Sequence, residues 1–135
     1  MITYQLEPHL SVAEFREILI HSTLGERRPV DEPDRLEGML QHANLILTAR
    51  EEGKIVGVSR AWTDFVYCTY LSDLAVDQAY QKQGIGKALI QRTREQAPQA
   101  TLILLAAPAA EAYYPRIGMH QHAHCYYLKS EDELL

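Results

Sequence analysis

The stretch Gln81-Lys82-Gln83-Gly84-Ile85-Gly86 has the residue types of an anion site. It follows a short apolar run, Leu71 to Val76, interrupted by Asp73, and a polar turn. It opens a segment in which Ile85, Ala88, Leu89, Arg92 and Gln96 recur at helical spacing. Amides in the first turn of a helix lack internal partners and carry the positive end of the helix dipole, so such a joint suits a phosphate. Glycines at 84 and 86 remove side chains that would keep an anion from those amides. From Asp77 to Arg94 there are four basic residues and one acid, a local +3 in a chain of net charge -5. A basic island on an acidic protein marks where an anionic ligand is held.

Two phosphate-binding patterns are excluded. A Walker A loop needs Gly where Gln81 stands and Ser or Thr where Ala88 stands, so no hydroxyl is present for Mg²⁺. The dinucleotide pattern G-x-G-x-x-G fails at Leu89.

The elements that must position this joint follow from periodicity and turn chemistry. Ile2 to Leu6 alternates as a strand; Ser11 and Glu14 form a capping-box pattern before a helix with Val12, Phe15, Ile18 and Leu19 inward. Thr23 to Pro33 reads as a loop, and a second helix starts near Asp34. Asn44 to Arg50 and Lys54 to Trp62 make a hairpin around Glu51-Glu52-Gly53. Phe65 to Val76 continues the meander, with an apolar parity shift around Leu71 to Leu74 that predicts a β-bulge. Thr101 to Leu105 suits a buried parallel strand, Ala109 to Ile117 a short helix stopped by Gly118, and Met119 to Leu128 a closing strand.

The strand end Leu74-Ala75-Val76-Asp77 followed by Gln81-x-x-Gly84-x-Gly86 resembles the pyrophosphate motif of the GNAT superfamily of N-acetyltransferases. The order β-α-α-β-β-β-α-β-α-β extends that resemblance over nearly the whole chain. It implies an α/β (α+β) GNAT fold, one domain over residues 1–135, with a mixed sheet of six to seven strands and about four helices. It also implies acetyl-CoA as cosubstrate, with Leu74, Ala75 and Val76 beside the pantetheine arm. Gln81, Lys82, Gln83, Gly84, Ile85, Gly86 and Lys87 would hold the pyrophosphate. The run Ala110 to Met119, AEAYYPRIGM, is similar to the family's second marker and puts Tyr114 on the tyrosine that protonates the departing thiolate. Asp73, a carboxylate at the strand bend, is the first candidate for the base that takes the amine's proton; Glu26 and Asp64 are further candidates. Many relatives carry an Asn after the fifth strand where this chain reads Leu105-Ala106-Ala107-Pro108-Ala109, and Met119 stands in place of the commoner Phe.

The resemblance therefore implies direct acetyl transfer to a primary amine of a small molecule or peptide. A noncatalytic acyl-CoA-binding regulatory module and transfer of a longer acyl group are the alternatives. Length and an apolar content of 47% fit a single folded core. The acidic balance argues against nucleic acid, and no segment reads as a leader or membrane span, so a cytoplasmic protein with no membrane partner is expected. Cys68 and Cys125 read as buried reduced thiols. His120, His122 and His124 share a strand face but lack completing ligands, so no metal is expected. Trp62, Phe65, Tyr67 and Tyr70 read as core and sheet-face aromatics, and Arg27 and Arg28 as a solvated pair or a contact for a substrate carboxylate. A homodimer through the last strand is possible on this reading.

Overall fold

The computed structural model describes all 135 residues, in two compact units, Met1–Leu105 and Ala106–Leu135. The first holds strands β1 (Ile2–Leu6), β2 (Leu45–Glu51), β3 (Lys54–Thr63), β4 (Cys68–Val76) and β5 (Thr101–Leu104). It also holds helices α1 (Val12–His21), α2 (Pro33–His42) and α3 (Ile85–Gln96). The sheet runs in the order β1-β2-β3-β4-β5, antiparallel as far as β4, with β5 parallel to β4.

Each element has a local cause. The Ser11 side chain caps α1 by accepting from the Glu14 amide at 3.2 Å. The Glu14 carboxylate does not return to complete the box; it bonds Arg50 at 2.6 Å. In the β2–β3 turn, Glu52 and Gly53 both have positive φ (49° and 82°), as a two-residue hairpin with right-handed twist requires. Both faces of the sheet are covered. Phe15, Ile18 and Leu19 of α1 and Leu36 and Leu40 of α2 pack with Ile46, Ile55, Val58 and Ala75 on one side. On the α3 side, Thr93 bonds Ser59 at 2.7 Å. Gly57 lets α3 approach: a Cβ there would lie 3.1 Å from Leu89 Cδ1 and 3.3 Å from both Ala49 Cβ and the Ala75 carbonyl.

Arg50 ties β2 to the β1 exit and to α1, its guanidinium meeting the carboxylates of Glu7 and Glu14. Burial raises the Glu7 carboxyl, but hydrogen bonds from Arg50 and Thr48 outweigh it and hold the group below its ordinary 4.5.

The second unit contains a 3₁₀ turn at Pro108–Ala110 and helix α4 (Tyr113–Arg116). The sheet thus has five strands, not the six to seven expected. Met119 to Leu128 is not a strand: all of it but Met119 is exposed, and the His124 amide donates to His122 Nδ1 at 3.0 Å. The segment has no β-branched residue, and that side-chain bond competes with a ladder, which weakens extension. The expected helix from 109 to 117 shrinks because Pro108 and Pro115 cannot donate amides, and Gly118 (φ 96°) ends it as foreseen. β5 is parallel as expected but is an edge strand rather than buried, with Ile103 half exposed. Both cysteines are exposed and free, contrary to the buried reading. Phe65, Tyr67 and Tyr70 are exposed too, and only Trp62 of that group is half-buried. No helix is long and apolar enough to cross a membrane.

Two outcomes follow. Gly57→Val should lower unfolding stability by about 1–3 kcal/mol in a urea titration, because neither Leu89 nor the Ala75 backbone has room to yield. The stabilisation that Glu7 supplies is present above its unfolded value of 4.5 and fades as pH falls through its lower folded value. Glu7→Gln should therefore flatten the loss of stability on acidification below that pH, although the variant is less stable at neutrality.

Candidate active site

The joint between β4 and α3 is built by backbone conformation. Asp77 Oδ1 accepts from the Ala79 amide at 2.9 Å and starts a 3₁₀ turn, Gln78–Tyr80. The Gln81 side chain then donates to the Val76 carbonyl at 3.1 Å and fastens the loop to the strand end. Lys82 (φ 64°) and Gly84 (φ 83°) take left-handed turns, and Gly84 is the N-cap of α3 with no side chain capping it. A Cβ on Gly84 would meet nothing within 4 Å, so the space before the helix is open. The amides of Ile85, Gly86 and Lys87 have no partner within the chain. Gln81, Lys82, Gln83 and Lys87 are exposed around this mouth, while the Ile85 side chain is buried and anchors the first turn.

The neighbouring strand supplies a second row of free groups. β4 pairs with β5 only from Cys68/Thr101 to Leu71/Leu104, and beyond that the edge of β4 is open. The Asp77 amide donates to the Val56 carbonyl at 2.9 Å, so in this antiparallel ladder Asp73, Ala75 and Asp77 face β3. Leu74 and Val76 therefore turn their main-chain groups to the open edge, and Ala75 does not. The expected bulge is present: Arg60 pairs with Asp73 and Ala61 with Leu71, leaving Ser72 as the extra residue.

Asp73 is fully buried between two arginines. Its Oδ1 accepts from Arg28 Nε at 2.6 Å and its Oδ2 from Arg60 Nε. Arg28 also donates to the Ser72 carbonyl at 2.9 Å, and Arg60 to the Met39 carbonyl at 2.9 Å and the Ser72 hydroxyl at 3.3 Å. The Arg60 guanidinium further lies 4.7 Å from the Trp62 ring centre. With both oxygens engaged and no exposure, the carboxylate is a charge partner to two cations, and Arg28 is neither a solvated charge nor a free receptor for a substrate. Sequence reading missed Arg60 and Ser72. The available signal was an arginine inside the apolar strand IVGVSRAW, which must meet a buried acid such as the one interrupting the next strand.

Asp64 accepts amides from Tyr67 (2.7 Å), Val66 (3.0 Å) and Cys68 (3.1 Å). Those donors, Tyr67's first, hold its carboxyl below the ordinary range, which suits a turn organiser better than a base. Glu26 is exposed in the 3₁₀ turn Leu24–Arg27.

In the second unit, Tyr114 packs edge-on against Tyr113 with ring centres 5.2 Å apart. Its carbonyl accepts from the Ile117 and Met119 amides. Burial, and secondarily the like charge that the neighbouring Tyr113 hydroxyl would carry when ionised, push its hydroxyl above the usual 10.0. No group of three or more His, Cys, Asp or Glu side chains is placed to hold a metal ion.

The sequence profile of the acetyltransferase (GNAT) family matches residues 12–119. A histone acetyltransferase of Glycine max is 34% identical over 71 residues, covering 50% of this chain and 31% of that protein. The chain thus spans about a third of the length of the first curated relatives it matches. An acetyltransferase of the GNAT family from Streptococcus pneumoniae superposes with a TM-score of 0.78 at 21% identity, covering 97% of this chain and 100% of the other. AAC(6')-Iy in complex with the bisubstrate analog CoA-S-monomethyl-acetylneamine superposes at 0.71 with 14% identity, covering 96% and 98%. At these identities the likeness speaks to the fold.

Asp73→Asn should cost about 3–5 kcal/mol of unfolding stability, because it leaves two guanidinium groups without their buried counter-charge. A loss below about 1 kcal/mol in urea would mean that the carboxylate does not hold the arginines.

Proposed function

We propose, on the premise that the chain belongs to the GNAT family of acetyltransferases, that it transfers the acetyl group of acetyl-CoA directly to a primary amine. The observation that carries this reading is the uncapped mouth of α3 behind a left-handed Gly84, next to the open edge of β4. The free amides of Ile85, Gly86 and Lys87 suit a pyrophosphate, with the Lys82 and Lys87 side chains adding positive charge at the rim. The outward main-chain groups of Leu74 and the Val76 amide suit a pantetheine arm, which would bond to them as an added strand does, while the Val76 carbonyl is already held by the Gln81 side chain. The residues present therefore fit an acyl-CoA. The family match runs through residues of both compact units, which supports reading 1–135 as one acetyltransferase domain.

The chain's own residues have three tasks. First, the β4 edge and the α3 mouth fix the thioester, so that a neutral amine meets its carbonyl carbon without the entropic cost of a free encounter. Second, an outward amide at the strand bend, Leu74 N–H being the nearest to the bulge, polarises the carbonyl oxygen as negative charge develops. Third, as the new N–C bond forms and the C–S bond breaks, Tyr114 gives its phenolic proton to the thiolate, and the ammonium nitrogen releases its own proton to water. Support for Tyr114 is its place in the Tyr113-Tyr114-Pro115-Arg116-Ile117-Gly118 motif, which resembles the family's second marker. Asp73 contributes by holding the bend; its two ion pairs leave the base role to solvent or to the acceptor's own surroundings.

For the acceptor, one relative is named a histone acetyltransferase and one structural neighbour is in complex with the bisubstrate analog CoA-S-monomethyl-acetylneamine. A net charge of -5 favours a cationic amine of a small molecule or peptide.

The test is release of free thiol from acetyl-CoA across a panel of polyamines, amino sugars and lysine peptides. At least one amine should be acetylated, and Tyr114→Phe should then lower turnover by roughly 10²- to 10⁴-fold while acetyl-CoA affinity stays within about twofold. Binding of acetyl-CoA with no acetylation of any amine would favour the noncatalytic module, and unchanged turnover in the variant would remove Tyr114 from the mechanism.

A further inference from the structure

The bulge in β4 decides which main-chain groups face the open edge. Before it, the Tyr67 carbonyl accepts from the Thr101 amide at 2.8 Å, so odd-numbered residues, Thr69 and Leu71, turn toward β5. After it, the even-numbered Leu74 and Val76 turn that way, because Asp73, Ala75 and Asp77 have been shifted onto β3. A regular strand would present Asp73 and Ala75 instead. The extra residue, Ser72, has lost its place in the ladder, and its carbonyl must find another donor. Arg28 supplies it, with Nη2 at 2.9 Å from the Ser72 oxygen and Nε at 2.6 Å from Asp73 Oδ1. Arg28 comes from the α1–α2 connection, 44 residues away in sequence, and a third bond from Nη1 to the Arg27 carbonyl at 2.9 Å stiffens its own loop.

We propose that Arg28 is a positioning residue for acetyl transfer: its two-point grip on Ser72 and Asp73 locks the one-residue shift in β4 and so aims the Leu74 and Val76 amides at the coenzyme arm. The proposal rests on the acyl-CoA reading above. A guanidinium is required because its planar fork reaches a carbonyl and a carboxylate at once, which the single ammonium of lysine does not. Removing it leaves Asp73 paired with Arg60, so the fold has a reason to persist. Without Arg28, the Ser72 carbonyl has no fixed donor and the shift can relax.

Two measurements on Arg28→Ala decide the matter. Amide hydrogen exchange by NMR on the free protein should show Asp73, Ala75 and Asp77 protected and Leu74 and Val76 exchanging fast in the wild type. In the variant the contrast between odd and even positions should shrink. Calorimetry should compare acetyl-CoA with ADP, which carries a diphosphate but no pantetheine arm. Acetyl-CoA affinity should fall about tenfold or more while ADP affinity stays within about twofold. An unchanged exchange pattern, or equal losses for the two ligands, overturns the proposal. Arg28→Lys covers the case in which the alanine variant does not fold: it should show the same split at smaller size, and wild-type behaviour in both measurements would mean a point charge suffices and the two-point grip is wrong. Should the wild type bind neither ligand, the acyl-CoA reading fails, while the exchange pattern still decides whether Arg28 holds the bulge.

Discussion

One extra residue in a strand organises this molecule. Ser72 breaks the β3–β4 ladder, and from that point β4 and β5 no longer pair, so a strand that is central over its first half becomes an edge over its second. Edges with free N–H and C=O groups are costly to leave exposed and are usually blunted. Here the edge ends at Val76, and the loop of residues 77–84 leads from it to a helix mouth whose amides are also unsatisfied. A ligand that offers both a diphosphate and an extended amide-bearing arm answers both needs.

Keeping such a site rigid requires energy from elsewhere. On one face of the sheet it comes from apolar packing by α1 and α2, on the other from the close approach of α3 over Gly57 and the Ser59–Thr93 hydrogen bond. The buried Arg28–Asp73–Arg60 cluster adds little net stability by itself, since desolvating three charges offsets most of their attraction. What it contributes is specificity of register. The α1–α2 connection, far off in sequence, and the successive strands β3 and β4 bring Arg28, Arg60 and Asp73 together in the alignment that places the bulge at Ser72.

Much of this was legible in the amino acids. The strand, turn and helix around Gly84 were readable because glycine in a helix start costs free energy and so signals a reason, and the bulge was readable from the parity shift at Leu71 to Leu74. Ser11 announced α1, and Glu52-Gly53 announced the hairpin turn. What could not be read were pairings decided by tertiary structure. Asp73 looked like a base because its neighbours in sequence say nothing of Arg28 and Arg60. Met119 to Leu128 looked like a strand because alternation is visible, whereas the lack of a buried face is not. Cys68, Phe65 and Tyr67 looked buried for the same reason, since residue type gives a preference for the interior and an edge or a hairpin tip overrides it, whereas Tyr70 does lie on a sheet face, stacked on Trp62.

The central claim is that main-chain amides at two adjoining places take one ligand. It is tested most directly by recording amide ¹H–¹⁵N chemical shifts while CoA is titrated into the protein. The account predicts saturable, simultaneous shifts at Ile85, Gly86 and Lys87 and at Leu74 and Val76, with Asp73 and Ala75 moving far less. No saturable change, or shifts confined to other elements with these five amides still, would contradict it.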